Sequence, residues 1–227
     1  MQTMGGVFRQ AAGLIKENFN EPENYTERSF ISQTLVDFLQ KKLPKEKTAP
    51  RILELAFGQG EIALNLAKNG YEVSVLDISK ERIAELQSAA KAKGYIIDTT
   101  AVNTNDELPY PDNHFSAIII AIVNMQVNDI DSFLNESLRI LRKGGLLIMT
   151  VLPEGYVDTI NNPWKQYEDG KHNNTLYFLA DAMKEHGFTD IKWHTSGGFD
   201  GFSLSYMMKF WIGWAHEISI FTIHGQK

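Results

Sequence analysis

At 227 residues with 43% hydrophobic content, the chain is long enough to bury a complete core, and one domain is expected. A formal charge of −6 with no basic run excludes a protein organised around phosphate backbones or anionic membrane surfaces. The lack of cysteine excludes disulfides, thiolate catalysis and cysteine-held zinc, and fits a cytoplasmic setting.

Met1-Gln2-Thr3-Met4-Gly5-Gly6 lacks the charged-then-apolar order of a secretory leader, and no apolar run approaches the ~20 residues of a membrane span. Residues 1–20 carry weak helical spacing (Val7, Ala11, Leu14, Ile15), which Asn20-Glu21-Pro22-Glu23-Asn24 interrupts. A firmer helix follows, with Thr26 or Ser29 as cap and Phe30, Ile31, Leu35, Phe38 and Leu39 on one face. Residues 1–48 read as a helical cap segment ahead of a domain over 49–227.

From there strands and helices alternate. The pattern predicts a strand Ile52–Ala56, a helix Glu61–Lys68 and a strand Glu72–Leu76. A helix Lys80–Lys93 follows, capped by Ser79 and stopped by Gly94. Next come strands Ile97–Val102 and Ser116–Ile122, a helix Ile130–Arg142 and a strand Leu146–Leu152. Strands that are apolar throughout and separated by helices imply a parallel sheet covered on both faces. Residues 153–175 are polar and aperiodic, and read as a lid. A helix Leu176–Glu185 ending at Gly187 and a strand Ile191–Thr195 come after it. An aromatic insertion over 197–216 precedes a last strand, Glu217–Ile223.

The unit Arg51–Asp77 carries the most chemistry. An apolar strand stops at a turn holding Gly58 and Gly60, a helix starts, and a second apolar strand ends on a carboxylate. Such a unit suits an adenine nucleotide or nucleoside: the glycines admit a ligand against bare backbone, and Asp77 offers two acceptors to a ribose diol. Capping of the next helix together with Ser79 is a compatible role for Asp77.

Four segments in order resemble the class I S-adenosylmethionine-dependent methyltransferases, small-molecule branch. They are the glycine motif Ile52–Gly60, the ribose motif Val75–Ser79, Leu108–Phe115 leading into the fourth strand, and Leu138–Ile148. The resemblance implies an α/β, Rossmann-like, seven-stranded and mostly parallel sheet with helices on both faces. It implies S-adenosyl-L-methionine as cofactor, S-adenosyl-L-homocysteine as product, and methyl transfer to oxygen or nitrogen of a small molecule. The chain departs from the family in having Ala56 where glycine is usual, and Thr104 where an acid often meets the adenine amine, with Asn105 and Asp106 beside it.

Further expectations attach to that resemblance. Glu54, a carboxylate in a buried strand, would meet the ammonium of the methionine moiety, or else a nearby lysine or arginine. Ile78 would pack on adenine, or simply in the core, and Ala121 ends the fourth strand beside the cofactor. Asn124 and Gln126 follow that strand, where donor and acceptor meet; Tyr25 would close over the site. Phe202, Tyr206 and Trp211 form either an acceptor wall or the core of an inserted helix. His172 and His216 are the histidines placed to act as base for a hydroxyl acceptor. No metal and no nucleic acid is expected, and the assembly is a monomer or homodimer. Two other readings stay open. One is a degenerate fold of this family serving as a binding or regulatory module. The other is a nicotinamide-dependent oxidoreductase, since Gly58-x-Gly60-x-x-Ala63 with Asp77 about 20 residues on meets that fingerprint too.

Overall fold

The computed structural model describes residues 28–44, 47–104, 106–120, 127–151, 175–195 and 221–227. The described elements are α1 (Arg28–Lys42), β1 (Arg51–Leu55), α2 (Glu61–Lys68), β2 (Glu72–Asp77), α3 (Lys80–Ala92) and β3 (Ile97–Ala101). They continue with β4 (Phe115–Ile120), α4 (Ile130–Ile140), β5 (Leu141–Val151), α5 (Thr175–Glu185), β6 (Thr189–Thr195) and β7 (Phe221–Gln226). The seven strands form one sheet in the order β3-β2-β1-β4-β5-β7-β6. The first five are parallel, and β7 runs antiparallel between β5 and β6.

Each face of the sheet carries its own core. On one side Leu53, Leu55, Leu76, Ile118 and Leu147 pack with Phe133 and Leu134 of α4 and Leu179 and Met183 of α5. On the other, Ile52, Val73, Val75, Ala117 and Ile148 pack with Leu35, Phe38 and Leu39 of α1 and with residues of α2 and α3. This is why β4 is apolar at every position but Ser116: all six of its residues are buried. In α2 the buried stripe is Ala63 and Leu66, and truncating Leu66 to alanine would cost about 2–5 kcal/mol.

Most boundaries match the sequence pattern to within a residue; several do not. The fourth helix ends at Ile140 rather than Arg142, and β5 opens at Leu141 rather than Leu146. The cause is a register irregularity. Phe115 pairs with Leu141 and Ala117 with Leu146, so the intervening residues loop out through Gly144, whose φ of +77° suits glycine. The last strand, described over Phe221–Gln226, runs past the expected end at Ile223, and residues 217–220 of the expected span lie outside the described residues. Apolar content pointed to the earlier span, but pairing with β5 (Val151↔Phe221 through Leu146↔Gln226) carries the strand on through His224, Gly225 and Gln226. A Cβ on Gly225 would lie 2.6 Å from Met183 Cε and 3.3 Å from Phe188 Cβ, so a larger residue there would make the methionine end shift and press on α5 and its turn.

The connection 102–114 between β3 and β4 forms no helix among its described residues. Leu108 within it is buried in the core on the α4 face.

Candidate functional site

The carboxyl ends of β1 and β2 lie side by side, with Glu54 opposite Val75 and Leu55 opposite Leu76. Ala56 extends the ladder, its N–H donating to Leu76 O at 2.8 Å. It does so at φ +52°, a left-handed conformation unusual for a residue with a Cβ. The chain then turns through Phe57 and Gly58 (φ +61°) to Gly60 (φ +77°), and Gly60 N–H closes the turn on Phe57 O at 2.9 Å. The two glycines differ. A Cβ on Gly60 would lie 2.6 Å from Leu86 Cδ1, whereas one on Gly58 would meet nothing within 4 Å. Gly60 is fixed by packing; Gly58 faces open space that a ligand can approach.

Glu54 is 3% exposed. Its carboxylate accepts from the backbone N–H of Ala63 in the first turn of α2, so a strand residue caps the neighbouring helix. Gly60, the residue before α2, contributes no side-chain cap. Glu54 Oε2 is buried and has no hydrogen-bond partner among the described residues, and no lysine or arginine among them meets this carboxylate. Burial pushes its pKa up to about 8, against the smaller opposing effect of the Ala63 N–H.

Asp77 shows the same division of its two oxygens. Oδ1 accepts from Ser79 N–H at 2.8 Å and from Arg82 Nη2 at 2.5 Å. Oδ2 is buried and has no hydrogen-bond partner among the described residues. Ser79 caps α3, accepting from Arg82 N–H at 3.2 Å. Ile78, next to this acid, is 68% exposed, an unusual position for a large apolar side chain. The β2–β3 ladder continues past the strand end, as Val102 N–H donates to Asp77 O at 3.2 Å. This brings the turn holding Thr104 and Asp106 next to the acid, closed by Asp106 N–H on Asn103 O at 3.1 Å.

Among the described residues, Glu54, Ala56, Gly58 and Gly60 lie at the end of β1 and in the turn after it, Asp77 ends the adjacent β2 with Ile78 following it, and Thr104 and Asp106 follow β3. Asn105, Ala121, Asn124, Gln126 and Tyr25 lie outside the described residues, as do His172, His216, Phe202, Tyr206 and Trp211 with residues 153–174 of the lid and the whole aromatic insertion. Of the described histidines, His186 lies 2.8 Å from Ala182 O through Nδ1 and 3.5 Å from Asp131 Oδ1 through Nε2, and two others meet aromatic rings. His114 stacks on Tyr110 with ring centroids 6.1 Å apart, its pKa lowered mainly by burial. His224 meets the ring of Phe38 edge-on at 5.1 Å. No group of three or more histidine, aspartate or glutamate residues that would hold a metal lies among the described residues. No described helix is long and apolar enough to cross a membrane.

Sequence reasoning missed Arg82 and the Ala63 N–H. Arg82 had a signal: it stands three residues after the Ser79 cap, where a capping box would place Glu or Gln. A cation there turns back toward the acid that ends the preceding strand. For the Ala63 contact there was none, because it joins a strand to the helix after it.

Residues 53–149 match the family described as a methyltransferase domain. Among curated proteins, the chain resembles a ubiquinone/menaquinone biosynthesis C-methyltransferase, UbiE, of Shewanella sediminis (strain HAW-EB3). The two are 30% identical over 121 residues, which cover 52% of this chain and 48% of the relative. A malonyl-[acyl-carrier protein] O-methyltransferase of Enterobacter lignolyticus (strain SCF1) is 25% identical over 152 residues, covering 66% and 58%. The chain therefore spans about half the length of the curated relatives it matches. Among solved structures, the [4+2]-cyclase SpnF superposes with a TM-score of 0.67 at 16% identity, over 100% of this chain and 96% of that one. A Haemonchus contortus phosphoethanolamine N-methyltransferase 2 in complex with S-adenosyl-L-methionine gives 0.62 at 18% identity, over 99% and 57%. At these identities the two structures establish likeness of fold.

Proposed function

We propose that the chain is a class I S-adenosylmethionine-dependent methyltransferase, a reading supported by the match of residues 53–149 to the methyltransferase-domain family, and that it transfers the methyl group of S-adenosyl-L-methionine to oxygen or nitrogen of a small molecule. One observation carries the reading. Two carboxylates at the carboxyl ends of adjacent strands each keep one oxygen engaged by the protein and one buried oxygen with no hydrogen-bond partner among the described residues. Burying an acceptor without a partner costs about 1–3 kcal/mol, so two such atoms on one crevice point to a ligand with complementary donors.

The cofactor fits this donor set. Asp77 Oδ2 would accept from the ribose hydroxyls, and Glu54 Oε2 from the ammonium of the methionine tail. Gly58 leaves the backbone open to close approach, and Ile78 supplies an exposed apolar side chain for the adenine face. Thr104, Asn105 or Asp106 would meet the adenine amine. When bound, the cofactor supplies an electrophilic methyl on a cationic sulfur. The chain's residues have to align that methyl with an acceptor atom and exclude water. Asn124 and Gln126 are assigned to the acceptor side, with Phe202, Tyr206 and Trp211 as its wall, Tyr25 as a closing residue, and His172 or His216 as base for a hydroxyl acceptor. The acidic, cysteine-free composition supports a cytoplasmic setting.

The nicotinamide alternative meets a specific obstacle. A pyrophosphate needs the N–H groups at the start of α2, and the Glu54 carboxyl already takes the Ala63 N–H there. The degenerate module has no such obstacle and is decided by binding. The UbiE relative is named a C-methyltransferase, so carbon is the acceptor atom to test against oxygen and nitrogen.

Calorimetric titration with S-adenosylmethionine, S-adenosylhomocysteine and NAD tests the proposal. Binding of the first two alone is the expected result. Binding of NAD alone, or of nothing, would overturn it.

A further inference from the structure

Parallel strands are ordinarily joined by a helix, which satisfies its own backbone. The connection 102–114 has none among its described residues, yet it crosses from the carboxyl end of β3 to the amino end of β4 and buries Leu108 in the core. A few of its polar backbone groups are met within it, as by Tyr110 N–H on Leu108 O at 2.7 Å and Asp106 N–H on Asn103 O at 3.1 Å, and side chains of α4 supply further partners. Arg139 Nη2 donates to Leu108 O at 3.0 Å, and Nη1 donates to Tyr110 O at 2.7 Å and Asp112 Oδ1 at 3.0 Å. Glu136 Oε1 accepts from Leu108 N–H at 2.9 Å. The two side chains hold each other in a two-pronged pair, Nε to Oε2 at 2.8 Å and Nη2 to Oε1 at 2.5 Å. Both are largely sheltered, with side-chain exposures of 28% and 18%.

The other end of the same strap is tied to the ribose acid, through Val102 N–H on Asp77 O. Between the two anchors lie residues 103–107, with Thr104, Asn105 and Asp106 at their centre. A segment this short, fixed at both ends, takes its position from its anchors.

We propose that Arg139 and Glu136 are positioning residues for adenine recognition: by holding the helix-less strap at Leu108 and Tyr110, they fix the 103–106 turn at the height of the nucleoside base. This rests on the cofactor reading above, since it needs a base to lie against that turn. Arginine is required because a planar fork with five donors meets two carbonyls and two carboxylates at once, whereas the lysine ammonium is a single point donor.

The test uses the full chain and two ligands, S-adenosylhomocysteine and its inosine counterpart, in which an oxygen replaces the adenine amine. The unaltered chain is expected to prefer the adenine ligand by about tenfold, the worth of one net hydrogen bond. In Arg139→Gln that preference should shrink to about twofold at a temperature where the variant is folded. Arg139→Lys should keep more of the melting temperature and still lose the preference. If Arg139→Gln does not fold, Arg139→Lys and Glu136→Gln decide, the latter expected to cut the preference about threefold by weakening the hold on Arg139. Variants that bind with the original preference would overturn the inference while leaving the cofactor reading intact, as would an unaltered chain that binds both ligands equally. Failure of the unaltered chain to bind either ligand would overturn both.

Discussion

Arg82 Nη2 sits 2.5 Å from Asp77 Oδ1, and the pair is lopsided: the arginine side chain is 48% exposed and the aspartate 1%. The cation leans in from solvent onto one oxygen and leaves the other buried, without a hydrogen-bond partner among the described residues. Asp77→Ala should weaken S-adenosylhomocysteine binding at least about tenfold with little change in melting temperature, because two charge-assisted hydrogen bonds to the ribose are lost. Arg82→Ala should weaken it by only about threefold, since a half-exposed pair is screened by water. Calorimetry on both variants checks the order, and an unchanged affinity in Asp77→Ala would remove the ribose assignment.

Glu54 makes stability depend on pH in the direction opposite to most carboxylates. Its pKa rises from 4.5 to about 8 in the folded chain. Between those values the native state holds a proton that the unfolded state has released. The contribution is therefore present in full below pH 4.5 and is lost as pH climbs through about 8. Thermal melts from pH 5 to 9 should show the unaltered chain losing about 5 °C more than Glu54→Gln, a shift matching ~2 kcal/mol in a domain of this size. Parallel profiles would show that Glu54 titrates normally. Because an ammonium favours the ionised form, cofactor affinity should climb over the same pH range in the unaltered chain and not in Glu54→Gln.

Ala56 holds a left-handed conformation at φ +52°. That costs an L-residue about 1–2 kcal/mol, partly offset in any glycine replacement by the greater entropy of the unfolded chain. Ala56→Gly should gain about 0.5 kcal/mol, raise the melting temperature by about 1–2 °C, and bind the cofactor at least as well through the added room. A lower melting temperature together with weaker binding would mean that the methyl is part of the site.

Gly58 and Gly60 separate binding from folding. Gly60→Ala drives a Cβ to 2.6 Å from Leu86 Cδ1 and should destabilise by about 1–3 kcal/mol in denaturant melts. Gly58→Ala meets no atom within 4 Å, so it should cost only the left-handed strain of about 1 kcal/mol, with a proportionally larger loss in S-adenosylhomocysteine affinity. Equal losses in both assays for both variants would erase the distinction.

The strand–turn–helix–strand unit was legible because its signals are local: apolar runs, a glycine pair and an acid at a strand end lie within one continuous stretch. The helix α2 was bounded correctly at Glu61–Lys68 for that reason. What the sequence hid depends on partners far apart in the chain. Arg139 meets Leu108 across 31 positions, and Glu136 meets it across 28, so no periodicity reports the strap they hold. The start of β5 was misplaced because pairing of Phe115 with Leu141 overrides the break that Gly144-Gly145 suggests. The end of β7 has the same origin: register against β5 carries the strand past Ile223 to Gln226, beyond the run of apolar residues. The cofactor side of the crevice could be read from residue types; the acceptor side could not, because Phe202, Tyr206 and Trp211 are equally good as wall or as core.

The placement of β7 between β5 and β6 also dictates an order of assembly. β6 has a single neighbour in the sheet, and that neighbour is β7. β6 lies some 26 residues before β7 in the chain, so its ladder can form only after its partner strand has been made. Mutations that loosen β7 from β5 should therefore free β6 as well, since it has no other strand to pair with.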